Sequence, residues 1–110
     1  MVAVPQRDEV WLVALDPTQG SEIQKMRPCL VISPDEMNQH LRTVVIAPMT
    51  TVLRPYPTRV VVRFQGKRGH VALDQLRAVD RQRLVKMLGA VSAKTAQDVS
   101  ATLLEMFTRI

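Results

Sequence analysis

The residue types best equipped to do chemistry in this sequence are its arginines, eleven of them against four lysines. A planar guanidinium grips a phosphate with two parallel hydrogen bonds, whereas an ammonium acts as a point charge. With a net charge of +5 and an isoelectric point near 10.1, the chain suits a polyanionic partner, and nucleic acid is the favoured one. Arg81, Arg83 and Lys86 lie close enough in sequence to track phosphates or to form a solvated face. Only four aromatic residues are present, so extended base stacking is not the expected binding mode.

Other chemistries are limited by residue supply. The one cysteine, Cys29, can form neither an internal disulfide nor a metal cluster. Its neighbours Pro28, Leu30, Val31 and Ile32 mark it as a small buried hydrophobe rather than a nucleophile. His40 and His70 stand alone, and a lone imidazole is more often surface-exposed or hydrogen-bonded than catalytic. No carboxylate or histidine cluster has metal-ligand spacing, so neither a metal nor another cofactor is expected. No apolar run approaches the roughly 20 residues of a membrane span, and residues 1–7 lack the charged start and apolar stretch of a signal peptide. A cytoplasmic protein that does not enter membranes is expected.

The elements that would position these residues read as a single mainly β domain over residues 1–110. Val10 to Leu15 is a short apolar run stopped by Asp16-Pro17, a core strand. Turn-rich sequence then runs to Met26, with Pro17, Gly20 and Ser21, giving a long loop that carries Glu22 and Lys25. Strands are expected at Pro28 to Ser33 and at Thr43 to Ala47, the latter stopped by Pro48, with a brief helix over Asp35 to Leu41 between them. Arg59 to Phe64 is a fourth strand, and the turn Gly66-Lys67-Arg68-Gly69 leads into a fifth at His70 to Leu76. Arg81 to Leu84 reads as a helical turn, and Lys86 to Val91 as a strand. From Ser92, a plausible N-cap, residues Ala96, Val99, Leu103, Phe107 and Ile110 recur at helical spacing. Trp11 is placed in the core. Short strands with one terminal helix indicate a small curled sheet or barrel.

Three blocks carry a resemblance. The first is Asp16-Pro17-Thr18-Gln19-Gly20-Ser21-Glu22, followed by Lys25-Met26-Arg27-Pro28 and Val31-Ile32-Ser33-Pro34, with Asn38 also fitting. The second is Ala47-Pro48-Met49-Thr50-Thr51, continued by Tyr56-Pro57, and the third runs from Val71 to Asp80. In this order, over most of the chain, they resemble the MazF/PemK/Kid toxins. The resemblance implies an SH3-like small β-barrel with short helices and a C-terminal helix, assembled as a homodimer. It also implies a metal-independent endoribonuclease that cuts single-stranded RNA at short sequences, leaving a cyclic phosphate and a free 5′-hydroxyl. A cognate antitoxin would hold the toxin inactive, and a basic groove of this kind suits an acidic, disordered tail.

Carried over residue by residue, the resemblance makes Arg27 and Thr50 the catalytic pair. It makes Glu22, Lys25, Thr51, Asp74 and Gln75 contacts to RNA. On residue type alone, Arg27 before Pro28 is an ordinary surface cation and Thr50-Thr51 an ordinary strand end. Asp74 and Gln75 would equally serve as polar positions on a strand edge. Ser21 and Ala72 stand where the Kid branch has His and Arg, so that branch's cleavage sequence does not transfer. Two other readings remain: a gyrase poison resembling CcdB, and an RNA-binding barrel without catalysis. The chain ends Phe107-Thr108-Arg109-Ile110 and lacks the C-terminal Trp-Gly-Ile of the gyrase poisons.

Overall fold

The computed structural model describes residues 3–15 and 26–110. The first strand, β1, spans Glu9–Ala14 and pairs antiparallel with β2, Met26–Val31. A short helix α1, Asp35–His40, leads to the long β3, Thr43–Thr50. Next come β4, Arg59–Phe64, and β5, Lys67–Ala72, then a 3-10 turn at Leu73–Gln75, β6 at Arg77–Asp80, a second 3-10 turn at Arg81–Arg83, and β7 at Leu84–Ala90. The chain closes with helix α2, Ala93–Phe107. The path β4-β5-β3-β2-β1-β7 makes a seven-stranded sheet, with β6 joined off the path to β3. The expected small barrel takes the form of a curled half-barrel with a C-terminal helix. Gly89 on β7 helps the ends of the sheet approach, because a Cβ there would meet the Phe64 ring of β4 at 3.3 Å.

The central strands are sandwiched by two apolar clusters. Val10, Leu30, Ala47, Met49, Val60, Val62, Val71 and Leu73 meet Val99 of α2 on one face, while Trp11, Val13, Cys29, Val31, Val44, Ile46, Val79 and Leu84 pack on the other. Strands covered on both faces lose the polar alternation of half-exposed ones, which is why β1 and β2 read as continuous apolar runs. Trp11 is core as expected, with its Nε1–H donating to Glu9 Oε1 at 2.9 Å. Cys29 is fully buried, and burial pushes its thiol up to about 12, so the thiolate is disfavoured.

Several boundaries depart from expectation. β3 continues through Pro48 to Thr50 instead of stopping. One edge of β3 pairs with β6 as far as Ile46 and with β5 from Met49, so the missing N–H of Pro48 falls where that edge changes partner and harms the ladder least. β2 begins two residues earlier than expected and ends at Val31. Ser33 is withdrawn from it because its hydroxyl donates to Asn38 Oδ1 and accepts from Val45 N–H at 3.0 Å. Asn38, fully buried, returns a bond from Nδ2 to the Ser33 carbonyl at 3.0 Å.

The β4–β5 turn is tighter than expected. Only Gln65 and Gly66 lie between Phe64 and its partner Lys67, both with positive φ, 51° and 77°, the geometry of a two-residue hairpin loop. The expected strand to Leu76 stops at Ala72, which moves Asp74 and Gln75 into the 3-10 turn. The strand expected at Lys86 to Val91 runs from Leu84 to Ala90. Ser92 caps α2 as expected, its hydroxyl accepting from Thr95 N–H at 3.2 Å. The helix ends at Phe107, three residues short of the expected pattern, and Phe107 and Ile110 are exposed.

Candidate active site

Thr50 is the last residue of β3, at the point where that strand has β2 on one side and β5 on the other. The β2–β3 register pairs Val31 with Ile46 and Cys29 with Pro48. Carried two residues further, it sets Arg27 opposite Thr50. Both residues line an open cleft of about 430 Å3, together with Thr51, Phe64, Lys67 and Arg68. The floor is apolar, from Met26, Pro28, Met49 and Val62. Arg27 is exposed.

The Thr50 hydroxyl accepts a hydrogen bond from Val52 N–H at 3.1 Å, a local turn bond typical of Thr and Ser. That bond occupies a lone pair and leaves the hydroxyl proton available to donate. Thr51 is exposed in the bend that follows. The cleft therefore offers one guanidinium and two hydroxyls at a strand end, with two further cations on the β4–β5 hairpin. This is an arrangement for binding a phosphodiester and countering added negative charge on it.

Glu22 and Lys25 lie outside the described residues, as does most of the loop that carries them. Asp74 and Gln75 are not brought to the cleft. The Asp74 carboxylate instead holds Arg59 through Nε at 2.7 Å and Nη2 at 3.1 Å, and accepts from Thr58 Oγ1 at 3.0 Å. The Arg59 hydrogen bonds hold the Asp74 carboxyl below its ordinary value, against the opposing effect of desolvation. Arg59 also lies over the Tyr56 ring, 5.2 Å from its centre. Gln75 is exposed beside this network. Two members of the basic cluster turn inward to backbone carbonyls, Arg81 to Asn38 at 2.9 Å and Arg83 to Ala14 at 3.3 Å. Among the described residues, no group of His, Cys, Asp or Glu is placed to hold a metal ion, and no helix is long and apolar enough to cross a membrane.

Sequence reasoning missed the contribution of the β4–β5 hairpin. Lys67, Arg68 and Gly69 were legible only as turn residues, yet all three line the cleft. Gly69 matters for a second reason, since a Cβ on it would stand 2.5 Å from the Thr50 carbonyl oxygen. No side chain fits where β5 passes the end of β3.

The family profile described as PemK-like, MazF-like toxin of type II toxin-antitoxin system matches residues 6–107. The chain belongs to this toxin family. Among relatives, it is 32% identical over 101 residues to the endoribonuclease MazF of Staphylococcus saprophyticus, an alignment covering 86% of this chain and 84% of that protein. It is 31% identical over 98 residues to the endoribonuclease MazF9 of Mycobacterium tuberculosis, covering 80% and 83%. The fold matches the crystal structure of MazF from Deinococcus radiodurans with a TM-score of 0.80 at 27% identity, covering 96% and 97% of the two chains. It also matches a chain of a MazE–MazF crystal structure from the same organism, TM-score 0.81, 27% identity, 96% of each chain. Within this toxin family, the PemK/MazF resemblance read from the three sequence blocks holds.

Proposed function

We propose that this PemK/MazF-family toxin is a cytoplasmic endoribonuclease that cleaves single-stranded RNA at short sequences without a metal ion. The observation that carries the reading is the opposed placement of Arg27 and Thr50 across a cleft that Lys67 and Arg68 also line. The RNA's own 2′-hydroxyl gives up its proton to solvent water and attacks the adjacent phosphorus, so that the new P–O2′ bond forms as the P–O5′ bond breaks. The leaving 5′-oxygen is protonated from water, with no net change in protons. The products are a 2′,3′-cyclic phosphate and a 5′-hydroxyl. Arg27 counters the charge that builds on the phosphorane, a role suited to a guanidinium whose pKa above about 12 makes it a poor base. Thr50 donates its free hydroxyl proton to a non-bridging oxygen. In this reading Glu22, Lys25 and Thr51 contact RNA at the cleft, while Asp74 and Gln75, which lie away from it beside Arg59, contact RNA that extends beyond the cleft.

The toxin works as a homodimer, because a small half-barrel offers little concave surface and two-fold pairing supplies a longer groove with two equivalent sites. A cognate antitoxin with an acidic, disordered tail occupies the cationic cleft and blocks RNA entry. Neighbours solved as MazE–MazF complexes support an antitoxin partner.

The test is purified protein incubated with mixed RNA in EDTA, with product ends mapped. Cleavage leaving cyclic phosphate is expected, and its loss in folded Arg27→Ala, with a smaller loss in Thr50→Ala. RNA binding without cutting would leave a catalytically silent barrel, and no effect on RNA beside inhibition of gyrase would leave the poison reading. If Thr51→Ala proves more damaging than Thr50→Ala, the catalytic hydroxyl is one residue further on.

A further inference from the structure

His70 is a buried titratable group that the cleavage chemistry does not use. It sits on β5 directly across from Thr50, in the last cross-strand pair between β3 and β5, and is 8% exposed. Its Nδ1 accepts a hydrogen bond from the backbone N–H of Arg54 at 3.3 Å. The chain leaving Thr50 is thus tied at two points, at Val52 through the Thr50 hydroxyl and at Arg54 through the His70 ring. Residues 51–54 are otherwise exposed, so these ties fix where the strand ends and where Thr50 and Thr51 point.

We propose that His70 is a positioning residue of this site, its ring holding residues 51–54 so that the Thr50 hydroxyl stays aimed into the cleft. An Nδ1 that accepts belongs to the neutral ring with its proton on Nε2. Protonation turns Nδ1 into a donor facing another donor, so the tie to Arg54 breaks and the segment is released. The surroundings resist that charge. Arg59 of β4 and Arg68 of the same strand both act on the ring, and burial adds to them, so the imidazole is held below its ordinary value of 6.5, with desolvation the largest cause. Asp74 is committed to Arg59. The β3 neighbour Thr50 is neutral, and the Arg54 guanidinium turns to the Leu53 carbonyl at 3.5 Å. The latch is therefore closed at neutral pH and opens only in acid.

The inference rests on the proposed ribonuclease reading for its activity readout, so a second readout is independent of catalysis. Cleavage of a short RNA is followed from about pH 8 down through acid, as far as thermal melts show the fold intact, in the wild type, His70→Asn and His70→Leu. Asparagine places an acceptor near the Nδ1 position but cannot take a charge in this range. Wild-type kcat should fall in acid as pH drops through the ring's depressed value, whereas His70→Asn should keep its neutral-pH kcat and lose that acid limb. His70→Leu, with no acceptor, should lose kcat at every pH with KM little changed. In parallel, the Arg54 amide should lose protection from hydrogen exchange by roughly tenfold once pH is taken below the ring's depressed value in the wild type, the change expected for one backbone hydrogen bond. In His70→Asn that protection should hold. An acid limb unchanged in His70→Asn, or Arg54 protection that does not respond to pH in the wild type, overturns the proposal. Absence of RNA cleavage in the wild type alongside a pH-sensitive Arg54 amide would instead overturn only the ribonuclease reading.

Discussion

Gly69→Ala isolates the link between backbone packing and catalysis. A Cβ at residue 69 would lie 2.5 Å from the Thr50 carbonyl oxygen, 3.2 Å from its carbon and 3.6 Å from Thr51 Cα. Ordinary contact begins near 3.4 Å, so β3 and β5 must part by about 0.9 Å at this point. Neither side yields cheaply. Both are backbone, held in register by Met49 against Val71 and Thr50 against His70. Overpacking of this kind costs about 1–3 kcal/mol, which lowers Tm by roughly 4–12 °C at about 4 °C per kcal/mol for a domain this size. Because the strain falls on Thr50, a displacement approaching 1 Å should reduce kcat by about 100-fold.

The control is Gly66→Ala. That position has φ +77° and nothing within 4 Å of an added Cβ. Its cost is left-handed strain alone, about 1–2 kcal/mol, at a hairpin tip away from the β3–β5 contact. Both variants should melt early, and only Gly69→Ala should lose kcat when RNA cleavage is measured at saturating substrate well below either Tm. A folded Gly69→Ala with kcat within about threefold of wild type, or equal kcat losses in the two variants, would refute the reasoning.

RNA affinity should fall with salt at a log–log slope of about −2, since Arg27, Lys67 and Arg68 line the cleft and each single-strand phosphate neutralised contributes about −0.7. Lys67→Ala should flatten that slope by about 0.7; an unchanged slope in a filter-binding titration would remove Lys67 from the groove. The depressed Asp74 carboxyl contributes stability above its ordinary value of 3.8 that is lost as pH falls through the lower folded value. Asp74→Asn should therefore lower Tm near neutrality by about 4 °C, for a solvent-screened pair worth about 1 kcal/mol, and flatten the Tm profile below pH 3.8. A variant that retains the wild-type acid profile would show that the pair with Arg59 does not supply the effect.

The sequence shows most clearly those parts whose cause is local. β1 and β2 were legible as apolar runs because both faces are covered, and the start of α2 because Ser92 caps it and Val99 and Leu103 recur inward. The four-residue β6 was not, since Arg77 and Asp80 bracket it and only Val79 is buried. Pro48 misled for a related reason: its harmlessness depends on the change of partner along the edge of β3, which no local rule reveals. Arg27 and Thr50 could be singled out through the family resemblance, since an Arg before Pro and a threonine pair have no chemical signature of their own. Gly69 and His70 were illegible as site residues because their importance comes from lying against Thr50, a contact made by strands distant in sequence.

That contact also explains why the site stands where it does. β3 is the strand shared by both wings of the sheet, with its core residues Val44, Ile46, Ala47 and Met49 divided between the two apolar clusters. Its end is therefore the point where a side chain can be exposed and still be anchored from both sides. β2 brings Arg27 along one edge, and β5 brings Lys67, Arg68 and Gly69 along the other. Asp74 meanwhile compensates Arg59 behind them. Three cations thus come from two strands to the same cleft. Under the proposed mechanism, donors already placed at this strand end would favour the transition state over the ground state, because they need not move as charge develops on the phosphorus.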